Sequence, residues 1–114
     1  MPYKIKRLTS FDKNAFEADS HLYALSPKAA DKYFEDYSQK TELIKENPYI
    51  FQAFEDDPYF RSASLVYGYR LFYHVDEQNK TVILHRVIHG AMDLLNQLQI
   101  DNKKTSGYQK RRGQ

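Results

Sequence analysis

A chain of 114 residues and 13.5 kDa has room for one hydrophobic core, which buries roughly two thirds of the surface the unfolded form exposes. With 41% hydrophobic and 28% charged residues, and no apolar run of about 18, it reads as globular and not as a disordered or membrane-spanning chain. The absence of cysteine excludes a disulfide framework, thiol catalysis and cysteine-based zinc, and MPYKIKRLTS has no apolar stretch behind its charges, so a cytoplasmic protein is expected.

Charge is unevenly placed. Residues 1 to 98 carry 12 Lys and Arg against 14 Asp and Glu, a balance of −2, whereas residues 99 to 114 carry five bases against Asp101, a balance of +4. The expected organisation is therefore one domain over 1–98 and a basic, flexible tail over 99–114 that lacks an apolar stripe.

In chain order, Tyr3 to Leu8 alternates apolar and basic residues as a half-buried strand does. Phe11, Ala15, Ala18, Leu22 and Leu25 then recur at helical spacing, with Thr9 or Ser10 as the expected cap. Ser26-Pro27 restarts a second helix, which carries Ala30, Tyr33, Phe34, Tyr37, Thr41 and Ile44 on one stripe and stops at Asn47-Pro48. Residues 49 to 60 read as a short helical turn followed by a loop. Arg61 to Tyr67, Tyr69 to Val75 and Thr81 to Ile88 are rich in β-branched and aromatic residues, separated by Gly68 and by Glu77-Gln78-Asn79-Lys80, and predict three antiparallel strands. Gly90 closes the last of them, and Ala91 to Leu98 predicts a terminal helix. The order β-α-α-β-β-β-α gives an α+β fold, a helical hairpin packed on a small twisted antiparallel sheet.

An even hairpin loop centred on Gln78-Asn79 divides the strand residues into two faces. One face collects Arg70, Phe72, His74, Ile83, His85, Val87 and His89. The other, more apolar and therefore expected under the helices, collects Tyr69, Leu71, Tyr73, Val75, Val82, Leu84, Arg86 and Ile88, which makes Arg86 a buried cation in need of Asp93 or a helical acid. A bulge would undo this division. Histidine with arginine suits phosphodiester chemistry, because imidazole moves protons near neutral pH and guanidinium grips phosphate oxygens. A metal site from His74, His85 and His89 has no carboxylate beside it and is not expected. A polar solvent face, or a surface that buries its aromatics against another chain, accounts for the same residues, and the ten tyrosines and seven phenylalanines favour the interface. No glycine-rich phosphate loop, nucleophile elbow or HExxH motif is present, so neither a cofactor nor a small-molecule substrate is expected.

The run Tyr69-Arg70-Leu71-Phe72-Tyr73-His74-Val75-Asp76, the strand Thr81 to Ile88 and the ending Arg86-Val87-Ile88-His89-Gly90-Ala91-Met92-Asp93-Leu94 resemble the carboxy-terminal half of the RelE/ParE superfamily of bacterial toxins. Together with the first strand and the helical hairpin ending in Asn-Pro, the resemblance covers residues 1 to about 98. It implies the toxin of a type II toxin-antitoxin, or plasmid stabilisation, module, neutralised by a cognate antitoxin encoded beside it. The superfamily's two activities are poisoning of DNA gyrase and ribosome-dependent mRNA cleavage. If the chain were a ribonuclease, Arg61, Arg70, His85 and His89 would be its catalytic residues. The ending His89 to Leu94 is more similar to the gyrase-directed ParE branch, since it offers Gly90, Ala91, Met92 and Gln97 where a ribonuclease would carry basic residues to stabilise a pentacoordinate phosphate. ParE-like inhibition of gyrase is therefore the first expectation, RelE-like mRNA cleavage the second and a non-catalytic interaction module the third.

Because the tail supplies no apolar stripe, removing residues 101 to 114 should leave the thermal midpoint within about 5 °C of the full chain, as scanning calorimetry would show. A larger drop would mean that the tail is docked on the domain.

Overall fold

The computed structural model describes residues 2–55 and 57–89, which form β1 (Lys4–Arg7), α1 (Thr9–Leu25), α2 (Pro27–Glu46), β2 (Arg61–Ser64), β3 (Tyr69–Asp76) and β4 (Thr81–His89). Helical periodicity explains the hairpin. Phe11, Ala18 and Leu22 of α1 and Ala30, Tyr33 and Ile44 of α2 are buried, and Tyr33 packs its ring on Tyr69 of β3 at 5.6 Å. Two residues assigned to these stripes turn outward. Leu25, in the last turn before the reversal, is 70% exposed, and Phe34, displaced round the helix from buried Tyr33, is 63% exposed.

Pro27 opens α2 where its missing N–H costs nothing, and the Ser26 hydroxyl accepts from the Ala29 N–H at 3.4 Å. Asn47 closes the helix just before Pro48. The expected cap of α1 is corrected: Leu8 occupies the cap position without a side-chain bond, and Ser10 instead donates its hydroxyl to the His85 carbonyl of β4 at 2.9 Å.

The sheet runs β1-β4-β3-β2. β2–β3 and β3–β4 are antiparallel as expected, but β1 lies parallel to β4, so the sheet is mixed and not wholly antiparallel. The helical hairpin covers one face. No helix forms at residues 49 to 54 among the described residues, because the Asn47 side chain accepts from the Tyr49 N–H at 3.1 Å and turns the chain just after α2. The Phe54 N–H then donates to the Phe60 carbonyl at 2.7 Å, and Ala53 bridges Arg61, which brings this segment against the sheet. β2 stops at Ser64 and does not reach Tyr67, since the Val66 N–H turns to the Asp36 carboxylate of α2 at 2.9 Å. The chain reverses there through positive φ at Tyr67 (61°) and Gly68 (81°). A side chain at Gly68 would meet the His89 ring at 3.2 Å, so both φ and space require glycine.

The β3–β4 register decides the faces. Asp76 to Tyr73 pair with Thr81 to Leu84 as the four-residue loop predicts, but Phe72 pairs with Arg86, so His85 is an extra residue, a β-bulge. Beyond it the expected faces exchange. Val87 joins the core under the helices with Tyr69, Leu71, Tyr73, Val82 and Leu84, and His89 follows it there, its ring 5.0 Å from Tyr69. Ile88 joins a second cluster on the opposite face, with Phe54, Phe60 and Phe72. Arg86 is only half-buried, and its guanidinium donates to the Asn14 amide oxygen of α1 at 3.4 Å. Gly90, Asp93, the terminal helix of residues 91 to 98 and the tail lie outside the described residues. Among those described, no helix is long and apolar enough to cross a membrane.

A bulge leaves backbone groups out of the ladder, and Ser10 supplies the partner for one of them. Ser10→Ala should therefore destabilise the fold by about 1–3 kcal/mol in urea unfolding, the cost of an unpaired part-buried carbonyl, while Thr9→Ala at the neighbouring exposed position should stay within about 0.5 kcal/mol.

Candidate functional site

The four residues that would serve a ribonuclease come from three strands, and neighbouring strand positions share a face. Arg61 pairs with Tyr73, which places it on the helix-covered face. There its guanidinium donates to the Phe51 carbonyl at 2.7 Å and lies 4.8 Å over the Tyr49 ring, so it braces the loop after α2. Arg70 pairs with Ser64 on one side and Ile88 on the other, which places it on the opposite face with Phe72. The two arginines do not converge.

His85 lies on the same side as Arg70 but is closed off. It is 0% exposed, with Phe60 at 4.9 Å and Tyr59 at 6.2 Å meeting its ring edge to face, and neither ring nitrogen has a hydrogen-bond partner. Tyr59 is held over it by His74, whose ring stacks on the tyrosine at 4.0 Å. Burial, with smaller contributions from the neighbouring His74 and Arg86 charges, pulls the His85 pKa down to about 3. At neutral pH it is a neutral aromatic core residue. His89 is exposed at the end of β4, but it stands on the helix-covered side, against Tyr69 and Gly68. Thus of Arg70, His74, His85 and His89, expected on one surface, the bulge carries His89 to the other side and burial closes off His85, and among the described residues no three His, Asp or Glu side chains form a metal-binding group.

The helical hairpin also carries large apolar side chains that are exposed. Phe16, Tyr23 and Leu25 of α1 are 70%, 62% and 70% exposed, and Phe34 and Leu43 of α2 are 63% and 44% exposed. The sequence reading missed Phe16 and Tyr23. Their signal was a spacing of seven residues, out of phase with the buried stripe, which on a helix is a second apolar line and not part of the first.

Residues 5–94 match the family model of the ParE toxin of type II toxin-antitoxin systems. The chain belongs to the ParE toxin family. Its fold is similar to that of a chain of the chromosomal ParDE toxin-antitoxin system from P. aeruginosa, with a TM-score of 0.64 and 16% identity over 77% of this chain and 96% of that one. A chain of the RelBE2 toxin-antitoxin complex from Mycobacterium tuberculosis gives 0.51 and 24% identity over 81% and 95%, and the isolated E. coli RelE toxin gives 0.55 and 18% over 87% and 96%. No curated protein sequence matches. These ParE and RelE neighbours share the expected architecture of a helical hairpin on a small sheet.

The state of His85 in this ParE-family chain can be read from the acid limb of its stability. Above pH 6.5 neither the folded nor the unfolded chain binds a proton there. Below it the unfolded imidazole protonates and the folded one does not, so stability falls as pH drops from 6.5 towards about 3, by at most about 1.4 kcal/mol per unit. His85→Leu should flatten that limb in urea unfolding at pH 7.5, 5.5 and 4.5, and an unchanged slope would show that His85 is accessible to protons in the fold.

Proposed function

We propose that this chain is the growth-inhibiting toxin of a type II toxin-antitoxin module, acting in the cytoplasm and held silent by a cognate antitoxin. On release it binds and poisons DNA gyrase and does not cut mRNA. Membership of the ParE family supports the toxin reading, and the toxin-antitoxin systems from which two of the structural neighbours come support the antitoxin. The observation that carries the choice of target is the division of the candidate catalytic groups. Hydrolysis of a phosphodiester needs a proton carrier and cations that meet at one phosphate. Here Arg61 and Arg70 stand on opposite faces of the sheet, and His85 is sealed between rings and neutral. Exposed aromatic and aliphatic residues on the hairpin suit a toxin that acts by holding another protein. In this reading the region 1–98 is the toxin domain, and residues 99–114 are an appended basic tail.

Induced expression of the chain should arrest growth, induce the DNA-damage response and trap cleaved DNA on gyrase while transcripts stay intact. Co-expression of the small gene beside it should restore growth and give a stable complex. Transcript cleavage that is lost in Arg70→Ala and His89→Ala would instead establish an mRNA endonuclease. Harmless expression without a copurifying antitoxin would leave only an interaction module.

A further inference from the structure

The side of the hairpin turned away from the sheet has a charge pattern of its own. Between α1 and α2 a groove of about 730 Å³ runs over buried Ala30, with the exposed rings of Tyr23 and Phe34 in its walls. A shallower depression of about 510 Å³ beside Leu43 continues it along α2, the two sharing Ser38 and Gln39. Every charged residue lining them is an acid: Asp19, Asp31 and Glu35 in the first, Glu42 and Glu46 in the second. Lys28, Lys32 and Lys45 of the same helix line neither groove. Lys40 is engaged elsewhere, with Asp36 at 3.0 Å and the Ser64 carbonyl at 2.7 Å.

Asp31, Glu35, Glu42 and Glu46 are separated by four, seven and four residues. Those steps bring all of them to one face of α2, as a row of carboxylates about 22 Å long beside the apolar groove. The row limits what can cover the groove. A second copy in an isologous contact would set carboxylate against carboxylate. An extended peptide would bring unpaired backbone groups to a helical surface whose own backbone bonds are already made, whereas a helix arrives with its backbone satisfied.

We propose that this groove receives a basic amphipathic helix from another protein. Its apolar face seats on Tyr23 and Phe34, and its Lys or Arg residues, at the same steps of four and seven, meet the row from Asp31 to Glu46. The site is defined by the surface alone and holds whichever target the toxin engages.

Two synthetic helical peptides with one leucine stripe test this, one carrying lysines at spacings of four, seven and four and the other glutamates at the same positions. Each is titrated calorimetrically into the full chain, into Phe34→Ser, and into the double variant Glu35→Lys with Glu42→Lys. These positions are exposed, so circular dichroism and the thermal midpoint should confirm unaltered folding. The lysine peptide should bind the native chain, weaken with added salt, and lose about tenfold or more in affinity in both variants. The glutamate peptide should bind the double variant better than it binds the native chain. The proposal is overturned if the lysine peptide does not bind, if both peptides bind alike, or if binding survives all the substitutions. It is equally overturned if sedimentation shows the native chain self-associating through this face and the double variant monomeric, since the occupant would then be a second copy.

Discussion

One extra residue in β4 governs how this molecule divides its side chains. Without the bulge at His85, Val87 and His89 would share a face with Arg70 and Phe72, and Ile88 would lie under the helices. With it, β4 feeds the helix-side core through Val82, Leu84 and Val87 and the opposite cluster through Ile88, so the strand is buried on both sides. Two neighbours fix the shift. Ser10 at the start of α1 takes the His85 carbonyl, and Gly68, at a φ that other residues rarely adopt, leaves room for the displaced His89 ring. The entry of α1 and the turn before β3 are thus both fitted to the same irregularity.

Burial on both faces determines which chemistry the sheet can display. The second cluster, Phe54, Phe60, Phe72 and Ile88, is closed by the segment that follows α2, and His85 is enclosed beneath Tyr59 and Phe60. An imidazole with neither nitrogen bonded is costly to bury, on the order of 1–3 kcal/mol. It is tolerated because its ring is met edge to face by aromatic neighbours that recover packing energy. Proton transfer from this position would require the segment to open and the imidazole to regain water. Among the described residues, the hairpin and the sheet edges are more open to recognition than this enclosed cluster.

The helical hairpin, the limits of α2 and the β3–β4 loop were legible in the sequence because each has a local cause: a 3.6-residue period, proline at one end and Asn-Pro at the other, and an even four-residue turn. The faces beyond Phe72 were not, because a bulge has no fixed sequence signature and exchanges every later residue. β2 was overextended for a related reason. Leu65, Val66 and Tyr67 suit a strand, but the Asp36 carboxylate, 30 residues away, captures the Val66 N–H. The parallel pairing of β1 with β4 is likewise a tertiary choice. Of the candidate site, residue identities could be read, but their convergence depended on parity. The outward line of Phe16 and Tyr23 has only a seven-residue spacing as its signal, and one apolar stripe already accounts for the burial of α1.

The sheet edges are as unequal as the two sides of the hairpin. β2 is partly covered, since Ser62 donates to the Gln52 carbonyl and Ala53 bridges Arg61. β1 is the outer strand on the other side, four residues long, with Lys4, Lys6 and Arg7 exposed. Lysines on a short edge strand discourage pairing between copies, because like charges would face each other across the new ladder. The same charges do not discourage an acidic strand. One end of the fold is thus basic, with a strand that among the described residues pairs on one side only, which suits strand addition by an acidic segment, while the outward side of α2 is acidic and apolar with its backbone satisfied, which suits a basic helix. Strand addition and helix docking draw on different backbone chemistry and opposite charge, so a segment matched to one surface is mismatched to the other. A single flexible arm could engage both only by carrying its acidic and basic halves in a fixed order.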